Sequence, residues 1–168
     1  ANSLNKYVSE GGTIVADGMF GIFNHDGIMY KELPGGSLRE TIGIDFRDVD
    51  VDDFSFYLTD GSDDIEFHGY IQKHYFDITG EKTKILARYK NDDFPAVISS
   101  KAGKGNFVFI GTSYWYGCFT RESNNGIQFV KYLDNCYDLS RHQINTCEVK
   151  YSLMTGKDEN KILVLFNY

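Results

Sequence analysis

The clearest candidate nucleophile in this 168-residue chain lies within Gly111-Thr112-Ser113-Tyr114-Trp115. A nucleophile elbow needs small residues on both sides of its serine, because the strained strand-to-helix turn folds the backbone against itself. Trp115 stands where the second glycine is required, so Ser113 does not fit. Cys118, in Tyr116-Gly117-Cys118-Phe119, has no small residue beyond it and reads as a structural thiol. After the apolar stretch 13–16 comes Asp17-Gly18-Met19-Phe20-Gly21, which gives an amidotransferase-type elbow neither cysteine nor serine. Gly103-Lys104-Gly105 has the glycine and lysine of a phosphate loop but lacks the Ser or Thr that must follow, and reads as a hairpin turn.

Metal and carboxylate chemistry fare no better. Asp48-Val49-Asp50-Val51-Asp52 opens like a calcium loop. That loop needs Gly at its sixth position and Glu at its twelfth, where this chain has Asp53 and Thr59. The alternation reads instead as a strand with acids to water and Val49 and Val51 to a core. His25, His68, His74 and His142 share no ligand spacing. Sugar hydrolysis by paired carboxylates needs one carboxyl in an apolar pocket. Glu122, close after Trp115 and Tyr116, is the acid best placed for that. These residues specify no catalytic set, metal or cofactor.

Composition narrows the remaining classes. At 168 residues the chain is too short for a complete (β/α)8 barrel, which takes about 250. Hydrophobic residues make up 42%, enough for a core, and no apolar run approaches the roughly 18 residues of a membrane span. The net charge of -7 argues against nucleic-acid backbones. Nine acids against one base, Arg47, fall between Asp45 and Glu66, so the rest of the chain is nearly neutral. Cys118, Cys136 and Cys147 form no disulfide pattern, and free thiols suit a reducing, cytoplasmic compartment. Thirteen Phe, twelve Tyr and 17 Gly with two Pro point to sheet-rich packing with tight turns.

The elements alternate. Leu4, Tyr7 and Val8 share a helical face, Gly11-Gly12 stops that helix, and Thr13–Ala16 is an apolar strand, the αβ step of a layered fold. Residues 17–43 read as irregular up to Ser37, a candidate N-cap with Glu40 at the capping-box position. Strands follow at 65–68 and 75–78. A meander then runs through 84–89, 95–99 and 107–110. Residues 125–137 form a helix, with Ile127, Val130, Lys131 and Asp134 on one side and Phe129 and Leu133 beside it. Residues 147–153 and 162–166 form a terminal hairpin. A lone hairpin is marginal in water, so it packs on the main domain or belongs to a following one.

Four segments occur in a telling order: Tyr7-Val8-Ser9-Glu10-Gly11-Gly12-Thr13-Ile14-Val15; Leu33-Pro34-Gly35-Gly36-Ser37-Leu38-Arg39-Glu40-Thr41-Ile42-Gly43-Ile44; Ala87-Arg88-Tyr89 with Phe94-Pro95-Ala96-Val97-Ile98; and Gly103–Thr112. The series resembles the trimerisation domain of family 42 glycoside hydrolases, the bacterial β-galactosidases, over roughly residues 4–137. The tail, with Leu165-Phe166-Asn167, is similar to the opening of those enzymes' C-terminal β domain. The resemblance implies an α/β fold like class I glutamine amidotransferases (flavodoxin-like), a sheet with helices on both faces, without their cysteine. It also implies catalytic acids on a preceding barrel absent here, which would bind the β-galactoside substrate. The family domain begins upstream of Leu4, and Ala1-Asn2-Ser3 reads like a cut inside a longer protein. The expected division is 1–139 for the trimerisation domain and 140–168 for the start of the β domain.

The expected function is noncatalytic oligomerisation, in a trimer, through Phe20, Phe23, Tyr114, Trp115 and Tyr116, large side chains on glycine-flanked loops. The alternatives are a carbohydrate-binding module stacking sugars on Trp115 and neighbouring tyrosines, and an active amidotransferase-like hydrolase using Cys118.

Overall fold

The computed structural model describes residues 2–18, 20–51, 54–60, 65–120, 125–137, 139–142, 151–156 and 161–165. The first half holds helix α1 (Asn2–Ser9), strand β1 (Thr13–Asp17), helix α2 (Leu38–Ile42), and strands β2 (Ile44–Val51), β3 (Ser55–Leu58), β4 (Phe67–His68) and β5 (Gln72–Ile78). The second half holds β6 (Thr83–Tyr89), β7 (Pro95–Ala102), β8 (Gly105–Ile110), helices α3 (Tyr114–Thr120) and α4 (Asn125–Tyr137), then β9 (Leu139–His142), β10 (Tyr151–Gly156) and β11 (Lys161–Leu165).

Nine strands form one mixed sheet in the order β4-β3-β6-β7-β8-β1-β11-β10-β9, and β2 and β5 form a separate antiparallel ribbon. Among the described strands only β1 pairs in parallel, with β8 on one side and β11 on the other. Strands β6, β7 and β8 form the expected antiparallel meander. The terminal hairpin β10–β11 joins the main sheet through β11.

The run Thr13–Ala16 is apolar without alternation because both faces of the sheet are covered. On one face Val15, Val97, Val108 and Ile110 pack against α3 and α4. On the other, Ile14, Ala16, Phe107 and Phe109 pack against Val8, Leu38, Ile42 and Ile44. The double glycine after α1 has a steric cause. The Tyr7 ring lies 2.2 Å from where a Cβ on Gly12 would sit, so any side chain there would drive the ring off the sheet.

Three local expectations are corrected. Ser37 has helical backbone angles and makes no side-chain cap bond. Its hydroxyl instead accepts from Asn5 Nδ2 at 2.8 Å, tying α1 to α2. Asp48–Val51 is indeed a strand, but the ribbon overhangs the main sheet and leaves Val49 and Val51 exposed rather than in a core. In α4 the buried residues are Phe129 and Leu133, while Ile127 is 58% exposed, because Phe129 slots among the rings of Phe56, Phe67 and Tyr114. Helix α3 and strand β3 had no clear periodic signal. The expected strand at 65–68 shortens to Phe67–His68.

The orientation of α4 makes a direct prediction. Phe129→Ala lowers unfolding stability by about 3–5 kcal/mol, whereas Ile127→Ala changes it by less than about 0.5 kcal/mol. Urea denaturation of the two variants checks this.

Candidate functional site

Helix α3 decides the fate of the sequence candidates. It begins directly after β8, so the strand–turn–helix that an elbow needs is present. The elbow's strained backbone is not at Ser113, however. Among the described residues the non-glycine positive φ angles belong to Ile71 and Asp93. Tyr114 and Trp115 turn inward and are buried. The Tyr114 ring meets Phe56 at 5.5 Å, Phe129 at 4.9 Å and Trp115 at 5.1 Å between centroids, in the edge-to-face arrangement that ring quadrupoles favour. Gly117 lets the helix lie against Tyr70, where a Cβ would stand 2.9 Å from the Tyr70 Cβ.

The five-residue patch expected from the sequence therefore does not assemble. Tyr114 and Trp115 are core residues, because α3 amphipathically presents them to the sheet. Phe20 is half-buried and lies tilted against Phe107 at 5.6 Å between ring centroids. Phe23 and Tyr116 are exposed. Glu122 and Cys147 lie outside the described residues.

Cys118 contacts the Tyr114 hydroxyl inside α3, and burial pushes its thiol up from its ordinary pKa. A nucleophilic cysteine needs the opposite shift, toward thiolate at neutral pH. Among the described residues no three His, Cys, Asp or Glu side chains converge to hold a metal.

Two titratable groups, the half-buried Asp17 and the buried His74, flank this end of the sheet. The Asp17 carboxylate, at the end of β1, accepts the Trp115 backbone N–H at 2.9 Å and so fastens α3 to the strand. Its withdrawal from water raises its pKa to about 6, and the backbone donors only partly offset this. His74 lies against the Phe46 ring at 5.1 Å and donates from Nε2 to Gln72 Oε1 at 3.3 Å. Burial lowers its pKa to about 4, so it is neutral near pH 7.

Beside His74 a cleft of about 670 Å³ opens between the segment 22–33 and the β2–β5 ribbon. Phe46 and His74 line it, with Met29 and Val49 among its other walls. Arg39 and Arg47 pair with three of its acids. Arg39 forks onto Asp45, with Nη2 donating to Oδ2 at 2.6 Å, and also contacts Glu32; Arg47 contacts Asp77. The Arg39 guanidinium holds the Asp45 carboxyl below the usual carboxylate range. Deeper in the ribbon, the Lys73 ammonium is paired with Asp92 and lies 4.7–5.1 Å from the ring centroids of Phe54, Tyr75 and Tyr89. Burial disfavours that charge, but Asp92 and Tyr75 outweigh it and hold the lysine above its ordinary pKa.

Surface residues that sequence reasoning missed are Ile28, Met29, Val49, Val51 and Ile71, all large and exposed. The turn holding the first two had a signal, Asp26-Gly27 between Phe23 and Ile28. Asn24 Oδ1 accepts from the Asp26 and Ile28 backbone N–H groups, both at 2.9 Å, and Phe23 bridges Met29. Ile71 had none. Its φ of 63° is a left-handed conformation that a β-branched residue rarely adopts and that costs on the order of 1–3 kcal/mol.

This three-layered α/β arrangement is the fold of a domain within solved β-galactosidases. The chain aligns with a GH42 β-galactosidase from G. stearothermophilus at TM-score 0.64 and 21% identity, covering 93% of this chain and 22% of that one. It aligns with the Bacillus circulans sp. alkalophilus β-galactosidase at 0.64 and 18%, covering 91% and 23%. It aligns with the polyextremophilic β-galactosidase of Halorubrum lacusprofundi at 0.65 and 13%, covering 92% and 23%. The chain thus spans less than a quarter of the length of these enzymes. No curated protein matches it. Residues 1–134 match the β-galactosidase trimerisation domain model, and the chain belongs to that family.

Asp17 and His74 set opposite pH dependences. The folded pKa of Asp17, about 6, exceeds its unfolded 3.8, so its contribution is full below pH 3.8 and is lost as pH rises through 6. The folded pKa of His74, about 4, lies below its unfolded 6.5, so its contribution is full above pH 6.5 and is lost as pH falls through 4. Each is worth about 3 kcal/mol at 1.36 kcal/mol per unit, so together they nearly cancel. Between pH 6 and 4.5, Asp17→Asn loses stability as pH falls and His74→Phe gains it, measured by denaturant melts across that range.

Proposed function

We propose that this chain is an assembly domain without turnover of its own, part of a β-galactosidase-like glycoside hydrolase whose catalytic acids and β-galactoside site lie on a barrel outside it. The trimerisation-domain match over residues 1–134 carries this reading. The positions of the two nucleophile candidates support it: Ser113 has an unstrained backbone and Cys118 a raised pKa inside a packed helix. We assign 1–139 to the assembly unit and 140–168 to the start of a following β domain, its hairpin extending the sheet beside β1. The free thiols of Cys118 and Cys136 suit a cytoplasmic setting. No helix among the described residues is long and apolar enough to cross a membrane. The carbohydrate-module alternative lacks its main stacking ring, because Trp115 is in the core.

Sedimentation velocity over micromolar to millimolar concentrations is the test, with a chromogenic β-galactoside assay on the same sample. The chain sediments as a species of about three times 19.2 kDa at the upper concentrations and releases no chromophore. A monomer at every concentration, or turnover by the chain alone, contradicts the reading.

A further inference from the structure

The cleft between the segment 22–33 and the β2–β5 ribbon has no part in the assembly reading. Its volume of about 670 Å³ falls within the range of small-molecule pockets, roughly 300–1,000 Å³. The strand beside it is distorted toward it. A regular strand sends neighbouring side chains to opposite faces. The β2–β5 register shifts between Phe46 and Asp48, and this bulge at Arg47 lets Phe46, Arg47 and Asp48 all line the one cleft.

We propose that this cleft binds a neutral saccharide through one pyranose ring, at a place distinct from the buried Trp115. The site goes beyond the assembly reading and does not depend on it. Charge selects against ions. Arg39 is engaged by Asp45 and Glu32, and Arg47 by Asp77. With three bases against four acids in its walls, the cleft offers little net attraction to a strongly charged ligand. Lys31 and Asp48 line it without ion-pair partners among the described residues. Lys31 only donates. Asp48 only accepts, and its Oδ1 already takes the Val49 backbone N–H at 2.8 Å, which leaves Oδ2. A hydroxyl both donates and accepts, so a ring carrying several of them can satisfy Lys31 and Asp48 together.

His74 gives the cleft a buried polar group without a full set of partners. It is 4% exposed and lines the cleft. Its Nε2–H is on Gln72 Oε1, so Nδ1 keeps its lone pair, and among the described residues nothing donates to it. A buried acceptor left unpaired is costly, and a ligand hydroxyl in the cleft supplies the missing donor. Withdrawal from water keeps the ring neutral near pH 7, the form in which Nδ1 accepts. The half-buried Phe46 ring is held tilted against His74 at 5.1 Å and edge-on to Phe109 at 5.4 Å, and it gives the apolar C–H face of a sugar a fixed surface. An apolar wall with a few convergent polar groups is the usual make-up of a small-molecule pocket.

Amide NMR of the chain titrated with the methyl glycosides of glucose, galactose and mannose tests the assignment, with leucine and inorganic phosphate as charged probes. At least one glycoside moves the backbone amides of 46–49 and 74 saturably. Lys31→Ala and Asp48→Ala, both at exposed positions, each weaken that binding about tenfold, the worth of a hydrogen bond to a charged group, with unchanged circular dichroism. His74→Phe keeps a ring against Phe46 but removes Nδ1, and it weakens binding as well. Lys84→Ala, outside the cleft, leaves binding unchanged. No saturable shift with any of these glycosides overturns the proposal, as does saturation by leucine or phosphate alone. Glycoside binding undiminished in Lys31→Ala and Asp48→Ala overturns it too.

Discussion

The packing of Tyr114 among Phe56, Phe67, Phe129 and Trp115 is the constraint on which the rest of this domain depends. It fixes the rotation of α3. Once Tyr114 and Trp115 point inward, the Trp115 N–H meets the Asp17 carboxylate, Cys118 falls inside the helix contact, and Tyr116 is left at the surface. One packing decision thus removes the thiol from reaction, removes the tryptophan from any sugar-stacking role, and leaves Tyr116 exposed.

Electrostatics then shape how the acidic run is accommodated. The acidic run 45–66 looks, as a string of letters, like a surface that repels everything negative. Folded, part of it is divided between two sides of a ribbon. Asp45 is forked by Arg39, Asp50 is bonded to Tyr75, and Glu66 meets Lys90. Buried Lys73 with its three rings and Asp92 holds the ribbon together from behind. Val49 and Val51 are left exposed on the ribbon.

The sequence made legible those parts of the fold that follow local periodicity. The α1–Gly–Gly–β1 step, the β6–β7–β8 meander and the existence of α4 all followed from apolar spacing and turn residues. The family followed from four short segments in order. The rotation of α4 and α3 did not, because it is set by rings distant in sequence: Phe129 is buried in place of Ile127 only because Phe56 and Phe67 wait for it. For the same reason two of five anticipated surface residues were core. Val49 and Val51 misled in the other direction, since alternation says which residues share a face but not whether that face is covered. Ile71 was invisible, because nothing in its neighbours' types announces a left-handed turn.

Amide hydrogen exchange, compared between dilute and concentrated chain, tests most directly the claim that this domain is built to assemble with further copies of itself. Backbone amides at a contact between copies exchange more slowly at high concentration. Equal exchange throughout the chain at both concentrations contradicts the account.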